Sequence, residues 1–596
     1  MTDTNDSSEA SLLPPDSSLA TNAFTGDQTV PPSSYSQGTK NSRARPHNNR
    51  GRGGSSSSSC SKRKKQDQGR TAYKRNRDSK WEPRNAEAVS VKGGGEDGEG
   101  GGKEERRPKK KVAVLIGYCG TGYRGMQLNP PHKSIEGDLF EAFVQAGAIS
   151  KANSDDPKKV SSSHFYIALS SLVRCARTDK GVHAAGNAIS LKLIIEDPDI
   201  VQKINSHLPE QIRVWGIVRT VGSFSSYQQC DSRRYEYLVP SHCFLPPHPK
   251  SYLAKVCSKV AEGEGDLEGF LKRNEECDGW WEEVNKKIYQ QLGDVDKEVL
   301  DKALEYEVKS GAAIEHKERM GSQEEAVDNP DIDLNVPLAE DAIGGEINVG
   351  ARLWRKIGAV YRAEKKTYRI SPQRLQKVRE GFKSYEGTHN FHNFTIQKTF
   401  KDPSSKRFIK SFEVLDPVII NNTEWLSLRV HGQSFMMHQI RREGKMVGMV
   451  IMVVRTGCPL ERIKEACGPR VVPIPKAPSL GLLLESPVFD AYNRKAERDF
   501  QKEPIDFSKH AKEIGAFRDK MIYTKLFEEE ERAHVYTQFV HFIDSYRSPL
   551  FHYLSSAGLK ALDEVGEEQG ARAMGLQLLP DNESEDEDAV KSAEAG

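Results

Sequence analysis

The stretch Val173 to Ala184 packs Arg174, Arg177 and Lys180, the imidazole of His183 and a single carboxylate, Asp179, into a glycine-bearing turn ahead of an apolar run. A salt-bridged surface loop is the ordinary reading of an isolated Arg-Thr-Asp, because exposed ion pairs cost and gain little. The chemical reading is a carboxylate held ionised by neighbouring cations, beside groups able to hold phosphates, and such a carboxylate can act as a nucleophile. Four other stretches invite the same comparison. Gly120-Thr121-Gly122-Tyr123-Arg124-Gly125 spells the dinucleotide fingerprint after an apolar run. Asn129-Pro130-Pro131 follows at once, so no helix starts at the third glycine, and the acid expected about 20 residues on is missing. A turn beside a ligand is the better account. Arg233-Arg234-Tyr235-Glu236-Tyr237 places two tyrosines on one strand face, suited to core packing or, beside arginines, to base stacking or proton transfer. His389 and His392 stand three apart without a third ligand, which argues against zinc. Met436, Met437, Met446 and Met449 form a stripe that reads as core, with Arg441 at its edge needing a carboxylate partner, for which Asp179 is the candidate.

These groups need elements to hold them. Strands fit Val112–Ile116, Ile212–Thr220, Tyr235–Val239, Phe408–Val414, Trp425–Val430 and Gly481–Leu484. Asn187–Ile195 alternates like a strand with one buried face. Helical spacing covers Ile135–Ala146, Ser371–Tyr385 and Phe435–Val454, and part of Lys297–Lys309 fits a helix too. Composition supplies the boundaries. Residues 1–110 are rich in Ser, Gly, Pro and charge and are expected to be a disordered basic extension. Segments 111–260 and 347–495 read as two folded halves, 261–346 as an acidic insertion, and 496–596 as a helical, charged extension with an acidic tail.

The formal net charge of +2 is a cancellation. Residues 40–80 carry +12, residues 262–341 carry −15, and Asp581–Asp588 adds six acids, leaving +11 on the rest. A surplus of that sign suits a polyanionic partner. The nine cysteines are scattered without a Cys-x-x-Cys pair, which argues against a zinc site or disulfide framework. No run approaches the ~20 apolar residues of a membrane span. The first 39 residues hold five acids and no Lys or Arg, unlike a presequence, and the expectation is a soluble intracellular protein. The split clusters Lys62–Lys65 and Lys74–Arg77 fit a solvated charge run, nuclear import or loose RNA contact.

Taken in order, these segments resemble the TruA-type tRNA pseudouridine synthases, in their eukaryotic branch. The resemblance rests on Arg177-Thr-Asp179-Lys-Gly181-Val-His183-Ala184, on Tyr123 to Gln127 after the first strand, on Arg233 to Tyr237, on Gly387 to Phe391, on Gln439-Ile440-Arg441 and on Ala477 to Leu484. It implies an α+β fold in which two related halves share a curved, mostly antiparallel sheet with a central cleft. It implies isomerisation of uridine in tRNA to pseudouridine without metal or small-molecule cofactor: the N-glycosidic bond breaks, the base turns, and it rejoins through carbon. Carried over, Asp179 is the nucleophile, Arg441 pairs with it, and Tyr235 packs on the base and assists proton removal from C5. Arg177, Lys180 and His183 grip the extruded nucleotide, and Tyr123, Arg233, His389 and Leu483 belong to the RNA-binding set. The partner is tRNA, no membrane is involved, and both monomer and homodimer are open. The expected compartment is the nucleus, with cytoplasm and mitochondrion as further destinations. Where the family runs from Arg441 directly into the stretch seen here as Lys445 to Gly448, this chain inserts Arg442-Glu443-Gly444, a ~60° slip of helical face. The alternative reading is therefore an RNA-binding or RNA-folding protein that keeps the synthase fold with impaired chemistry.

Overall fold

The computed structural model describes residues 107–149, 172–293, 295, 298–300, 345–395, 398–436, 439 and 445–565. Its frame is a ten-stranded sheet ordered β4-β1-β3-β10-β5-β9-β7-β6, with β2 paired to β3 and β8 to β9. The strands are β1 (Lys110–Tyr118), β2 (Val173–Arg174), β3 (His183–Leu193), β4 (Ile212–Arg219) and β5 (Ser232–Pro240), then β6 (Gly387–Asn390), β7 (Lys406–Val414), β8 (Val418–Ile420), β9 (Thr423–Gly432) and β10 (Leu482–Val488). Every pairing is antiparallel except β3 with β10. β10, which comes last in the chain, is inserted at the centre, parallel to β3 and antiparallel to β5. β1 lies antiparallel to both its neighbours, so the glycine-rich turn after it does not open a parallel Rossmann unit.

Local chemistry explains the helix starts. Ser134 caps the helix Ile135–Gln145, its hydroxyl accepting from the Gly137 amide. Ser371 caps Pro372–Lys383 in the same way, with proline in the first turn. The helix expected from Phe435 starts instead at Lys445. Residues 434–436 are not helical, and Gln439 sits in a turn where its side chain accepts from the Met436 amide. The methionine pattern runs on across this stretch, and an apolar pattern alone does not fix where a helix begins. All eleven residues of Lys445–Arg455 are buried, which makes this the central core helix. The possible helix at Lys297–Lys309 falls mostly outside the described residues.

The β3 alternation also needs correcting. Only one residue of the strand is exposed, because both faces are covered. On one side lies the main core; on the other, Ala113, Leu115 and Ala188 pack beneath Phe224, Phe489 and Tyr492. Tyr492 comes from the helix Asp490–Phe500, Phe489 from its N-cap and Phe224 from the segment between β4 and β5. Further on, Phe517 meets Trp215 edge-on at 5.3 Å, Phe527 meets Trp425 at 4.9 Å, and the Tyr536 hydroxyl donates to the Leu238 carbonyl at 2.6 Å. The charged C-terminal stretch therefore packs on the sheet through its apolar faces. A smaller cluster joins the helices Trp280–Gln291 and Gly345–Thr367 through Trp281, Ile288, Ile357 and Tyr361. Among the described residues no helix is long and apolar enough to cross a membrane.

Candidate active site

Asp179 lies in the loop between β2 and β3, and the loop is clamped from several directions. The Met126 amide donates to the Thr178 carbonyl at 3.0 Å, and the Gly181 amide to the Tyr123 carbonyl at 3.3 Å. The Thr178 and Tyr118 hydroxyls are 2.7 Å apart, and the buried Asn187 amide donates to Tyr118 at 3.2 Å and to the Ala176 carbonyl at 3.0 Å. The Val182 amide closes the turn on the Asp179 carbonyl at 3.1 Å. A partly buried carboxylate is thus carried on a backbone with little freedom. Its Oδ2 is buried and has no hydrogen-bond partner among the described residues. Leaving a buried acceptor unpaired normally costs about 1–3 kcal/mol, so the atom calls for a partner beyond the described residues.

The glycine turn is what permits this clamp. A Cβ on Gly120 would come 2.3 Å from the Val182 carbonyl oxygen, and Gly125 sits at φ +106° with Thr178 O 3.0 Å from where its Cβ would be. The fingerprint-like spacing therefore serves close backbone approach to the Asp179 loop. His183 completes the contact: its Nδ1 accepts from the Gly120 amide at 3.1 Å. The ring is 1% exposed, and burial lowers its pKa to about 4. The structure puts His183 beneath the turn, in the interior. Tyr123 is also interior, its hydroxyl donating to Asp138 at 2.6 Å under the Lys133 ammonium. Burial, with that hydrogen bond and the Asp138 charge, raises its phenol pKa. Glu136 fixes the far end of the turn, accepting from the Leu128 amide at 2.8 Å and from Arg174 Nη2 at 2.6 Å.

Arg177 and Lys180 flank Asp179 with exposed side chains. Arg233 Nη2 donates to the Cys175 carbonyl at 2.8 Å, which ties β5 to the root of the loop. Tyr235 is buried and meets Phe435 edge-on at 5.3 Å. Leu483 is buried on β10, level with His183 on one side and Glu236 on the other, so β10 is the spacer that sets β3 against β5. His389 lies apart on the edge strand β6, its Nε2 within hydrogen-bonding distance (2.9 Å) of the Glu386 carbonyl. Arg441, and with it the expected ion pair to Asp179, lies outside the described residues. The structure thus gathers Asp179, Arg177, Lys180, His183, Tyr123, Arg233 and Leu483 around one loop and its neighbours. Sequence reasoning missed Tyr118, Asn187 and Glu136, whose polar side chains hold that loop and its neighbours; a buried Asn in an apolar strand was the available signal. Among the described residues no group of His, Cys, Asp and Glu could hold a metal ion.

Residues 382–490, from the end of the helix before β6 through β10, match the family model described as tRNA pseudouridine synthase. The Schizosaccharomyces pombe protein named tRNA pseudouridine synthase 1 is 42% identical to this chain over 76% of the chain and 87% of its own length. A Saccharomyces cerevisiae protein of the same name is 40% identical, over 79% and 81%. A second protein of that yeast, tRNA pseudouridine(27/28) synthase, is 36% identical over 73% of the chain and the whole of its own length. Identity of 36–42% over about three quarters of the chain and four fifths or more of each relative's own length shows that the chain belongs to the tRNA pseudouridine synthase family.

Proposed function

We propose that the protein isomerises uridine to pseudouridine in tRNA, with Asp179 as the nucleophile. Family membership supports the reaction. The observation that carries the residue assignment is the buried Oδ2 of Asp179, held on its clamped loop with no hydrogen-bond partner among the described residues. A base inside a stem must leave the stack to reach such an atom, at a cost of a few kcal/mol that phosphate contacts offset. Arg177 and Lys180 stand where they can provide those contacts. The C1′–N1 bond breaks, the uracil turns, C1′ bonds to C5, and the C5 proton leaves as N1 takes one up. Tyr235, on the strand beside β10, packs on the base, and Arg441 pairs with the carboxylate.

The catalytic body, in this reading, is two related halves, 111–260 and 347–495, sharing a curved sheet with the cleft between them. The central exchange of β5 and β10 supports that arrangement. Residues 1–110, 261–346 and 496–596 are the basic extension, acidic insertion and C-terminal extension. The clusters Lys62–Lys65 and Lys74–Arg77 support delivery to the nucleus.

The test is incubation with tRNA transcripts followed by carbodiimide mapping of pseudouridine. Wild-type chain should yield product, and Asp179→Ala should reduce it to background while melting like wild type. Product formed by Asp179→Ala would overturn the mechanism. Binding without product by the wild type would favour the RNA-folding alternative.

A further inference from the structure

Tyr227 is 63% exposed, more than any other large hydrophobic side chain among the described residues. One exposed ring is ordinary on a protein surface; the setting of this one is not. Its turn is bolted down. The neighbouring Ser226 is fully buried, its amide donating to Ser190 Oγ at 3.1 Å and its hydroxyl to the Val173 carbonyl at 2.7 Å. The Gln229 amide closes the turn on the Ser225 carbonyl at 3.0 Å. The ring is therefore presented from backbone fixed to β2 and β3, the strands on either side of the Asp179 loop.

Cations line the approach. Arg233 on β5 lies opposite Gly432 on β9, and Gly432 lies opposite Ile409 on β7. Arg407 is two residues before Ile409 and pairs with His389 on β6. Opposed and alternate residues share a face, so Arg233, Arg407 and His389 stand on the face that also carries Tyr235. The Tyr227 phenol lies within electrostatic reach of both arginines. Arg233 is tied to the root of the catalytic loop through the Cys175 carbonyl. Arg407 donates through Nη1 to the Lys406 carbonyl, while its Nε is buried with no partner among the described residues.

An exposed aromatic face on fixed backbone, within electrostatic reach of two guanidinium groups, suits a single-stranded nucleic acid, whose bases stack while its phosphates meet the cations. We propose that Tyr227 stacks on an unpaired nucleobase adjoining the uridine held at Asp179, with Arg233 and Arg407 gripping the flanking phosphates. The strand then continues across β9 and β7 toward His389, a path on the order of 14 Å at the usual strand spacing. This rests on the RNA-isomerising reading above and gives that site a second, sequence-tolerant contact.

The test uses the full chain and tRNA transcripts, with steady-state kinetics alongside direct binding by fluorescence anisotropy. Tyr227→Ala should raise KM and Kd about tenfold, the usual worth of one stacked base, with kcat little changed. Tyr227→Phe keeps the ring and should match wild type. Arg407→Gln should reduce the slope of log affinity against log salt by about one, while Tyr227→Ala leaves that slope alone. Unchanged Kd in Tyr227→Ala, or a Tyr227→Phe as weak as Tyr227→Ala, would overturn the stacking contact. If wild type binds tRNA but makes no pseudouridine, the catalytic reading fails, and the anisotropy comparison still decides this one.

Discussion

Neutral histidine is an uncommon choice for an acceptor of a backbone amide, and at position 183 it has a consequence for pH. Burial brings its pKa from 6.5 to about 4. Between those values the unfolded chain takes up a proton that the folded chain refuses. Stability from this group is therefore complete above about pH 6.5 and is lost as pH falls toward 4, by about 3 kcal/mol at most. His183→Ala removes the acceptor of the Gly120 amide and should cost about 1–3 kcal/mol at pH 7.5. The same variant should lose less stability than wild type on acidification. Urea unfolding of both chains across pH 4–7.5 checks this; parallel curves would show that His183 does not titrate in the way its burial implies.

The element that matters most to the site is the turn 120–126, strapped against the Asp179 loop by two backbone bonds and by the His183 ring beneath it. Gly120→Ala drives a Cβ into the Val182 carbonyl and should displace Thr178 and Asp179 together, costing about 1–3 kcal/mol and at least tenfold in kcat. Gly222→Ala meets nothing within 4 Å and should stay within about 0.5 kcal/mol of wild type. Melting and turnover measured on the pair distinguish close approach from a general intolerance of alanine. This turn also shows what sequence can convey. Its glycines, and the cations around Asp179, were legible because residue types and spacing constrain local chemistry. What they approach was not, since Val182 O and Asn187 Nδ2 enter through register between strands. The strand Gly387–Asn390 escaped notice because its four residues carry no apolar alternation. The helix at Lys445 was given too early a start because an apolar stripe says nothing about where the backbone stops coiling.

Over the whole molecule, coverage of the sheet decides stability. Trp215 and Trp425 each pack against phenylalanines that lie beyond residue 510, and Tyr536 bonds to β5 backbone. The buried Arg455 spans the same division, its guanidinium donating to the Leu245 carbonyl at 2.7 Å and pairing with Asp544. A chain ending at residue 506 should therefore expose apolar sheet surface and recover little soluble protein, although it keeps every residue assigned to chemistry. Soluble yield and analytical gel filtration test this; a monomeric, active product would show that the C-terminal helices are dispensable. β10 has a different significance, which concerns order in time. β3 and β5 are complete once residue 240 has left the ribosome, yet the strand that fills the space between them begins at Leu482. Through most of synthesis those two edges stand open, with unpaired amides and carbonyls and apolar faces prone to wrong partners. The gap between the Asp179 loop and the strand of Tyr235 closes only after Leu482 has been made, long after both its walls, so a nascent chain stalled before β10 should engage chaperones.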